Sequence, residues 1–186
     1  KKNTLVFLGT LGFENGPDIA VQATAIVAKT IPNVILHIIG GSEPNEERLK
    51  ELAKALGISK NVIFHGFIAD REKISSLART FQVALAPYKN VEGSARKYGD
   101  ATKIRAYVAA GLPVIMTDVP PLGQDIHAVG AGLLVDDTKE AFAQAIQKIL
   151  TTPKLYQSMR EASIHFAKEN TWENEFDKAL ARFADF

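Results

Sequence analysis

Residues 97–118 read Lys-Tyr-Gly-Asp-Ala-Thr-Lys-Ile-Arg-Ala-Tyr-Val-Ala-Ala-Gly-Leu-Pro-Val-Ile-Met-Thr-Asp. A polar loop holding Gly99 and Asp100 runs into a short helical pattern that carries Lys103. Gly111 ends that helix, and Pro113 opens an apolar strand, Val114-Ile115-Met116, which closes on Asp118. A unit of this kind aims the backbone N–H groups of the helix start at the neighbouring crevice. That geometry suits a phosphate-bearing ligand.

Outward from this unit, short β-type runs alternate with helical patterns. Upstream lie Leu5-Val6-Phe7-Leu8-Gly9, then Val34–Ile39 closed by Gly40-Gly41, then Val62–His65 and Val83–Ala86. Downstream lies Gly132-Leu133-Leu134-Val135. Such near-continuous apolar runs suit a parallel sheet covered on both faces. Between them, Pro17-Asp18 opens a helix with the stripe Ile19, Ala23, Ile26, Val27, Pro being favoured in a first turn. Leu49, Leu52, Ala53 and Leu56 form a second stripe, stopped by Gly57, and Ile74, Leu77 and Ala78 a third. Phe142, Ala145, Ile146 and Ile149 follow the last strand, with a restart at Pro153. Thr171 is placed to cap a final helix, with Trp172 as a packing anchor. The fold expected is α/β: a doubly wound, Rossmann-like parallel sheet of six strands flanked by helices, with ligands at the carboxyl ends of the strands.

Composition excludes several classes. With 186 residues, 46% apolar and 23% charged, the chain is an ordinary globular domain with room for one full core. A net charge of +1 gives no general pull toward nucleic acid or an acidic membrane. The absence of cysteine removes disulfides, thiolate nucleophiles and Cys-based zinc sites, and agrees with a cytoplasmic location. No run approaches the length of a membrane span. The chain begins Lys-Lys-Asn and a strand-like run follows almost at once, which leads to the expectation of a domain boundary at its start.

The first strand ends in Gly9-Thr10-Leu11-Gly12-Phe13-Glu14-Asn15-Gly16-Pro17, a G-x-x-G-x-x-x-G spacing unlike the G-x-G-x-x-G of dinucleotide sites. The second ends in Gly40-Gly41, where a ribose-binding acid would be required for NAD. A nicotinamide dehydrogenase is therefore disfavoured. A receiver domain is disfavoured as well, because the first strand lacks an acidic cluster at its end.

Four segments in order carry a resemblance. Gly9-Thr10-Leu11 through Asn15-Gly16-Pro17-Asp18 resembles "G-R-L … K-G-x-D", and Asn61–Phe67 resembles "N-V-x-F-x-G". Lys103–Ile115 resembles "K-L-x-E-Y-x-A-x-G-x-P-V-I", and Thr171-Trp172-Glu173 resembles "S-W-E". The whole chain thereby resembles the C-terminal, donor-binding domain of GT-B glycosyltransferases, in the group often called family 4. The resemblance implies one half of a two-domain enzyme that moves a sugar from a nucleotide-diphosphate sugar to a glycan, lipid or small-molecule acceptor, as in cell-envelope polysaccharide biosynthesis. Residues 1–186 would be the nucleotide-sugar-binding domain. The helix at about 171–185 would face a missing N-terminal acceptor domain, through which any peripheral membrane association would run. The resemblance also implies that no metal or other cofactor is required, because basic side chains and helix N-termini meet the leaving diphosphate.

Carried onto this sequence, it places the base against His65, Gly66 and Phe67, and the rest of the nucleotide-sugar against Gly9, Thr10, Gly12, Asn15, Gly40, Gly93, Tyr98, Gly99, Asp100, Lys103 and Ala106. The sequence departs from the family pattern at charged positions. Thr10 stands where the family has Arg, Asn15 where it has Lys, and Ala106 and Tyr98 where it has two glutamates. A charge-assisted hydrogen bond contributes roughly 1.5–3 kcal/mol, so two lost phosphate partners would cost about 3–6 kcal/mol. Substitutes lie in the loop Lys89–Asp100, where Glu92-Gly93 is a candidate for the displaced "E-G" pair and a donor-sugar contact. Lys103 is read as a phosphate contact or, alternatively, a solvated helix residue. Arg96-Lys97 and Glu92 also read as plain loop residues.

His37 is expected in the sheet, His65 beside the base or merely at a strand end, and His127 and His165 on the surface. No two histidines show metal-ligand spacing, and Asp136-Asp137 reads as a helix cap. Two competing readings remain at this point: a noncatalytic, degenerate nucleotide-sugar-binding module, and a sugar-nucleotide epimerase of the same fold.

Overall fold

Side chains along each strand alternate between two faces, and in the central strands, Thr4–Leu8 and Val83–Ala86, both faces are buried. The computed structural model describes residues 3–41, 43–99 and 101–184. Its strands are β1 (Thr4–Leu8), β2 (Ile35–Ile39), β3 (Val62–Phe64), β4 (Val83–Ala86), β5 (Val114–Met116) and β6 (Gly132–Leu134). They form one sheet in the order β3-β2-β1-β4-β5-β6, every pairing parallel. The expected doubly wound α/β architecture is the one observed.

The helices between them are α1 (Pro17–Ala28), α2 (Asn45–Ala55), α3 (Arg71–Ala78), α4 (Thr102–Ala109) and α5 (Leu122–Ala128). Three more follow β6: α6 (Lys139–Thr151), α7 (Pro153–Glu169) and α8 (Trp172–Ala184). Leu5 and Phe7 of β1, with Val83 and Leu85 of β4, enter a core shared with α1, α2 and α6. Their neighbours Val6, Leu8, Ala84 and Ala86 enter a second core with α4 and α5 on the opposite face. A fully buried side chain of this size contributes about 1.5–3 kcal/mol, so the two cores rather than the loops hold the sheet.

Caps fix several helix starts. Asp70 Oδ1 accepts from Glu72 N and Lys73 N at the start of α3, and Thr171 Oγ1 accepts from Asn174 N at α8. Thr138 Oγ1 caps α6 by accepting from Ala141 N at 3.2 Å. The Asp136-Asp137 pair is not that cap, because Asp137 Oδ2 instead accepts from Asn90 N at 3.2 Å. Two further expectations are corrected. Leu56, past the end of α2, is exposed, and Trp172 is 72% exposed, its ring beside that of the exposed Phe176, so it is no buried anchor.

The stretch 97–118 is fastened from behind by α7. Arg160 Nη1 donates to Gly111 O at 2.9 Å, and Ser163 Oγ donates to Leu112 O at 2.9 Å. These bonds hold the link between α4 and β5, and with it the direction in which α4 begins.

Candidate functional site: the crevice between strands 1 and 4

Strands β1 and β4 are neighbours whose outgoing connections run to opposite faces of the sheet. Such a switch point opens a crevice at the carboxyl ends. The pairs Leu5↔Val83 and Val6↔Ala84 are in register, and then the strands part. The hydroxyl of Tyr107, from α4, enters that gap. It accepts from Leu8 N at 2.7 Å and donates to Leu85 O at 3.1 Å, taking the place of the next rung of the ladder. Burial pushes the Tyr107 phenol far up from its ordinary value, against the opposing effect of the Leu8 N–H.

The strand ends crowd together above this bridge. Gly9 N donates to Ile39 O at 2.9 Å, and Gly40 N donates to Gly66 O at 2.7 Å. Gly40 has φ 112°, and a Cβ there would stand 2.5 Å from Gly9 O, so only glycine permits this approach. Gly16 is under a similar constraint, with φ 63° and a would-be Cβ 1.8 Å from Pro87 O. The ends of β1 and β2 thus meet because Gly40 carries no side chain at the contact.

Lys103 lies in the crevice. Its Nζ is buried and, among the described residues, has no hydrogen-bond partner. It sits 4.4 Å from the ring centroids of both Phe7 and Tyr88, and a Cβ on Gly9 would lie 3.8 Å from it. Burial, and secondarily the Arg96 guanidinium, pull its pKa down to about 7. The reading of Lys103 as a solvated helix residue is set aside by this geometry. At the start of α4, among the described residues, Ala101 offers no side-chain cap and the first turn holds no acid, so no described side chain caps these backbone N–H groups. Beside them lies a pocket of about 230 Å³ lined by Tyr88, Ala95, Arg96, Gly99, Ala101 and Pro120.

The two departures in the first segment find each other. Asn15, buried, donates through Nδ2 to Thr10 Oγ1 at 2.7 Å, a neutral pair where the family has two cations. The nearby Lys89 is already engaged: Nζ lies 2.7 Å from Asp18 Oδ2 and 3.8 Å from the Phe13 ring centroid. The loop after β4 is tied down by Lys89 N donating to Glu14 O and by Ser94 Oγ donating to Glu14 Oε2, each at 3.0 Å.

The remaining sequence-derived residues are spread around this centre. His65 stacks on His37, Nε2 to Nδ1 2.9 Å, and burial lowers its pKa. Phe67 is 77% exposed just beyond Gly66, and Tyr98 is 86% exposed. Glu92, Gly93, Gly99 and Ala106 are exposed, Gly12 is half-buried, and Asp100 lies outside the described residues. Among the described residues no three of His, Asp or Glu converge to hold a metal, and no helix is long and apolar enough to cross a membrane. Sequence reasoning missed the aromatic walls Phe7 and Tyr88 and the bridging Tyr107. Their positions at strand ends and one turn beyond Lys103 were the available signal.

These features define a doubly wound α/β domain with a cationic, amide-lined crevice at its switch point. The chain belongs to the group 1 glycosyl transferases, whose family model matches residues 1–166. Among its relatives is the GDP-mannose-dependent alpha-(1-6)-phosphatidylinositol dimannoside mannosyltransferase of Mycobacterium tuberculosis. The two are 29% identical over 177 residues, covering 95% of this chain and 42% of the relative. In fold, it is similar to the C-terminal domain of the group 1 glycosyl transferase LpcC from Francisella tularensis, with TM-score 0.78 and 20% identity over 91% of this chain and 86% of that one. It is also similar to Anabaena HepE in complex with UDP, with TM-score 0.80 and 16% identity over 99% of this chain and 49% of that one. The chain therefore spans about two fifths of the length of that curated relative.

Proposed function

We propose that this domain is the donor-binding half of a glycosyltransferase that moves a sugar from a nucleoside-diphosphate sugar to an acceptor. The observation that carries the reading is the convergence, in a group 1 family member, of the glycine-turned ends of β1 and β2 with the start of α4 at one switch point. Amide dipoles there would stabilise the departing diphosphate, so the domain works by positioning and charge neutralisation rather than proton transfer, and without a metal. In this reading His65, Gly66 and Phe67 border the base and Glu92 reaches the donor sugar. A cytoplasmic nucleotide-sugar and a cell-envelope acceptor are the corresponding setting in this reading.

The other half of the cleft would come from an N-terminal acceptor domain, since the relative is more than twice as long. Helix α8 supports this arrangement. Trp172, Phe176 and Leu180, at successive helical turns, are 72%, 64% and 65% exposed, an apolar stripe suited to that partner.

A second reading rests on the neutral Thr10–Asn15 pair and on Ala106: a noncatalytic module that keeps the fold and has lost donor contacts. Thermal shift and calorimetry with UDP-, GDP- and ADP-sugars separate the two. Saturable stabilisation by one nucleotide class is expected for the transferase. A flat response to all three refutes it in favour of the module.

A further inference from the structure

Among the described residues, the β1–α1 side of the crevice offers no available cation. Thr10 and Asn15 are closed on each other, and Lys89 is committed to Asp18 and Phe13. The α4 side presents the reverse. Lys103 Nζ is buried against Phe7 and Tyr88 with no acceptor among the described residues, and Arg96 lines the adjoining pocket. A buried amine without a partner is unfavourable for folding, and a methionine of similar shape would fill the same space without that penalty. Tyr88 belongs to both features, carrying Nζ on its ring and lining the pocket. Lysine's flexible stem allows the ammonium to swing past that ring to a ligand at the start of α4.

We propose that Lys103 and Arg96, on the α4 side, take the diphosphate of the donor in place of the two cations missing from the β1–α1 loop. This rests on the donor-binding reading above and assigns which residues of that site carry the charge. Around Lys103, β1 contributes the apolar Phe7, the segment after β4 contributes the Tyr88 phenol, and the 3-10 turn Ala95–Lys97 contributes Arg96. Among the described residues, Arg96 is the charged neighbour that acts on it, and it opposes protonation. An arriving diphosphate reverses that balance, so Lys103 takes up a proton on binding wherever the free protein holds it neutral.

The test is calorimetry on the intact protein with UDP and GDP, for wild type, Lys103→Met, Lys103→Arg, Arg96→Ala and Asn15→Ala. Folding of each variant is checked by circular dichroism. Lys103→Met and Arg96→Ala are expected to weaken nucleotide binding roughly 10- to 100-fold, and Asn15→Ala less than threefold. Wild-type affinity is expected to fall about tenfold or more from pH 7 to 9, with proton uptake visible as buffer-dependent heats. Lys103→Arg, charged throughout, should flatten that profile. Folded Lys103→Met binding as tightly as wild type overturns the proposal, as does an Asn15→Ala loss matching that of Lys103→Met. A wild-type protein that binds neither nucleotide sinks the donor-binding reading itself, a different and recognisable outcome.

Discussion

Replacing Tyr107 by Phe removes one oxygen atom and keeps the ring, so the core loses no volume. That oxygen holds two backbone groups, the Leu8 N–H at 2.7 Å and the Leu85 carbonyl at 3.1 Å, both on buried residues. Water does not reach them, and each buried group left without a partner costs about 1–3 kcal/mol. Some closure of the β1–β4 gap would recover part of this, which leaves an expected loss of about 2–4 kcal/mol. For a domain of this size that corresponds to a fall in Tm of about 5–15 °C. Urea unfolding followed by far-ultraviolet circular dichroism measures the change, with an unchanged slope confirming that stability alone was altered. Tyr98→Phe, at an exposed site, is the control and should shift stability by less than about 0.5 kcal/mol. A Tyr107→Phe loss no larger than that of the control would refute the idea that this hydroxyl stands in for a rung of the sheet.

Two further outcomes follow from the same crevice. Gly16→Ala puts a Cβ 1.8 Å from Pro87 O at a φ of 63°, and should cost about 3 kcal/mol or more in unfolding measurements. Lys103→Met should stabilise the fold, most strongly at low pH. The native Lys103 pKa is drawn from 10.5 down to about 7, so between those values the unfolded chain holds a proton that the native protein lacks. Wild-type stability therefore gains with rising pH across that window, and the advantage of Lys103→Met should shrink from pH 7 to pH 10. A gap that widens instead would contradict the burial of this amine.

Strand spacing, glycine stops and the helix stripes were enough to read the doubly wound sheet, because those signals are local: each strand's apolar run and each helix period is written in consecutive residues. The end of α4 was legible for the same reason, Gly111 and Pro113 bracketing the turn into β5. Where local reading failed, a distant partner decided. Trp172 looks like an anchor beside Thr171, yet it is 72% exposed, with the Phe176 ring of its own helix beside it. Asp137 looks like a cap, yet Asn90, far away in the chain, claims its carboxylate and leaves Thr138 to cap α6.

The sequence by itself determined the class of fold, the family pattern and the uncharged residues at positions 10, 15 and 106. Only the tertiary structure decided what those substitutions mean. It closes Thr10 on Asn15 and engages Lys89 with Asp18, while Lys103 is left between two rings with no acceptor among the described residues. The physical reason is that propensity and periodicity act over neighbouring residues. The state of a charge depends on burial and on partners, which are set by strands and loops brought together from opposite ends of the chain.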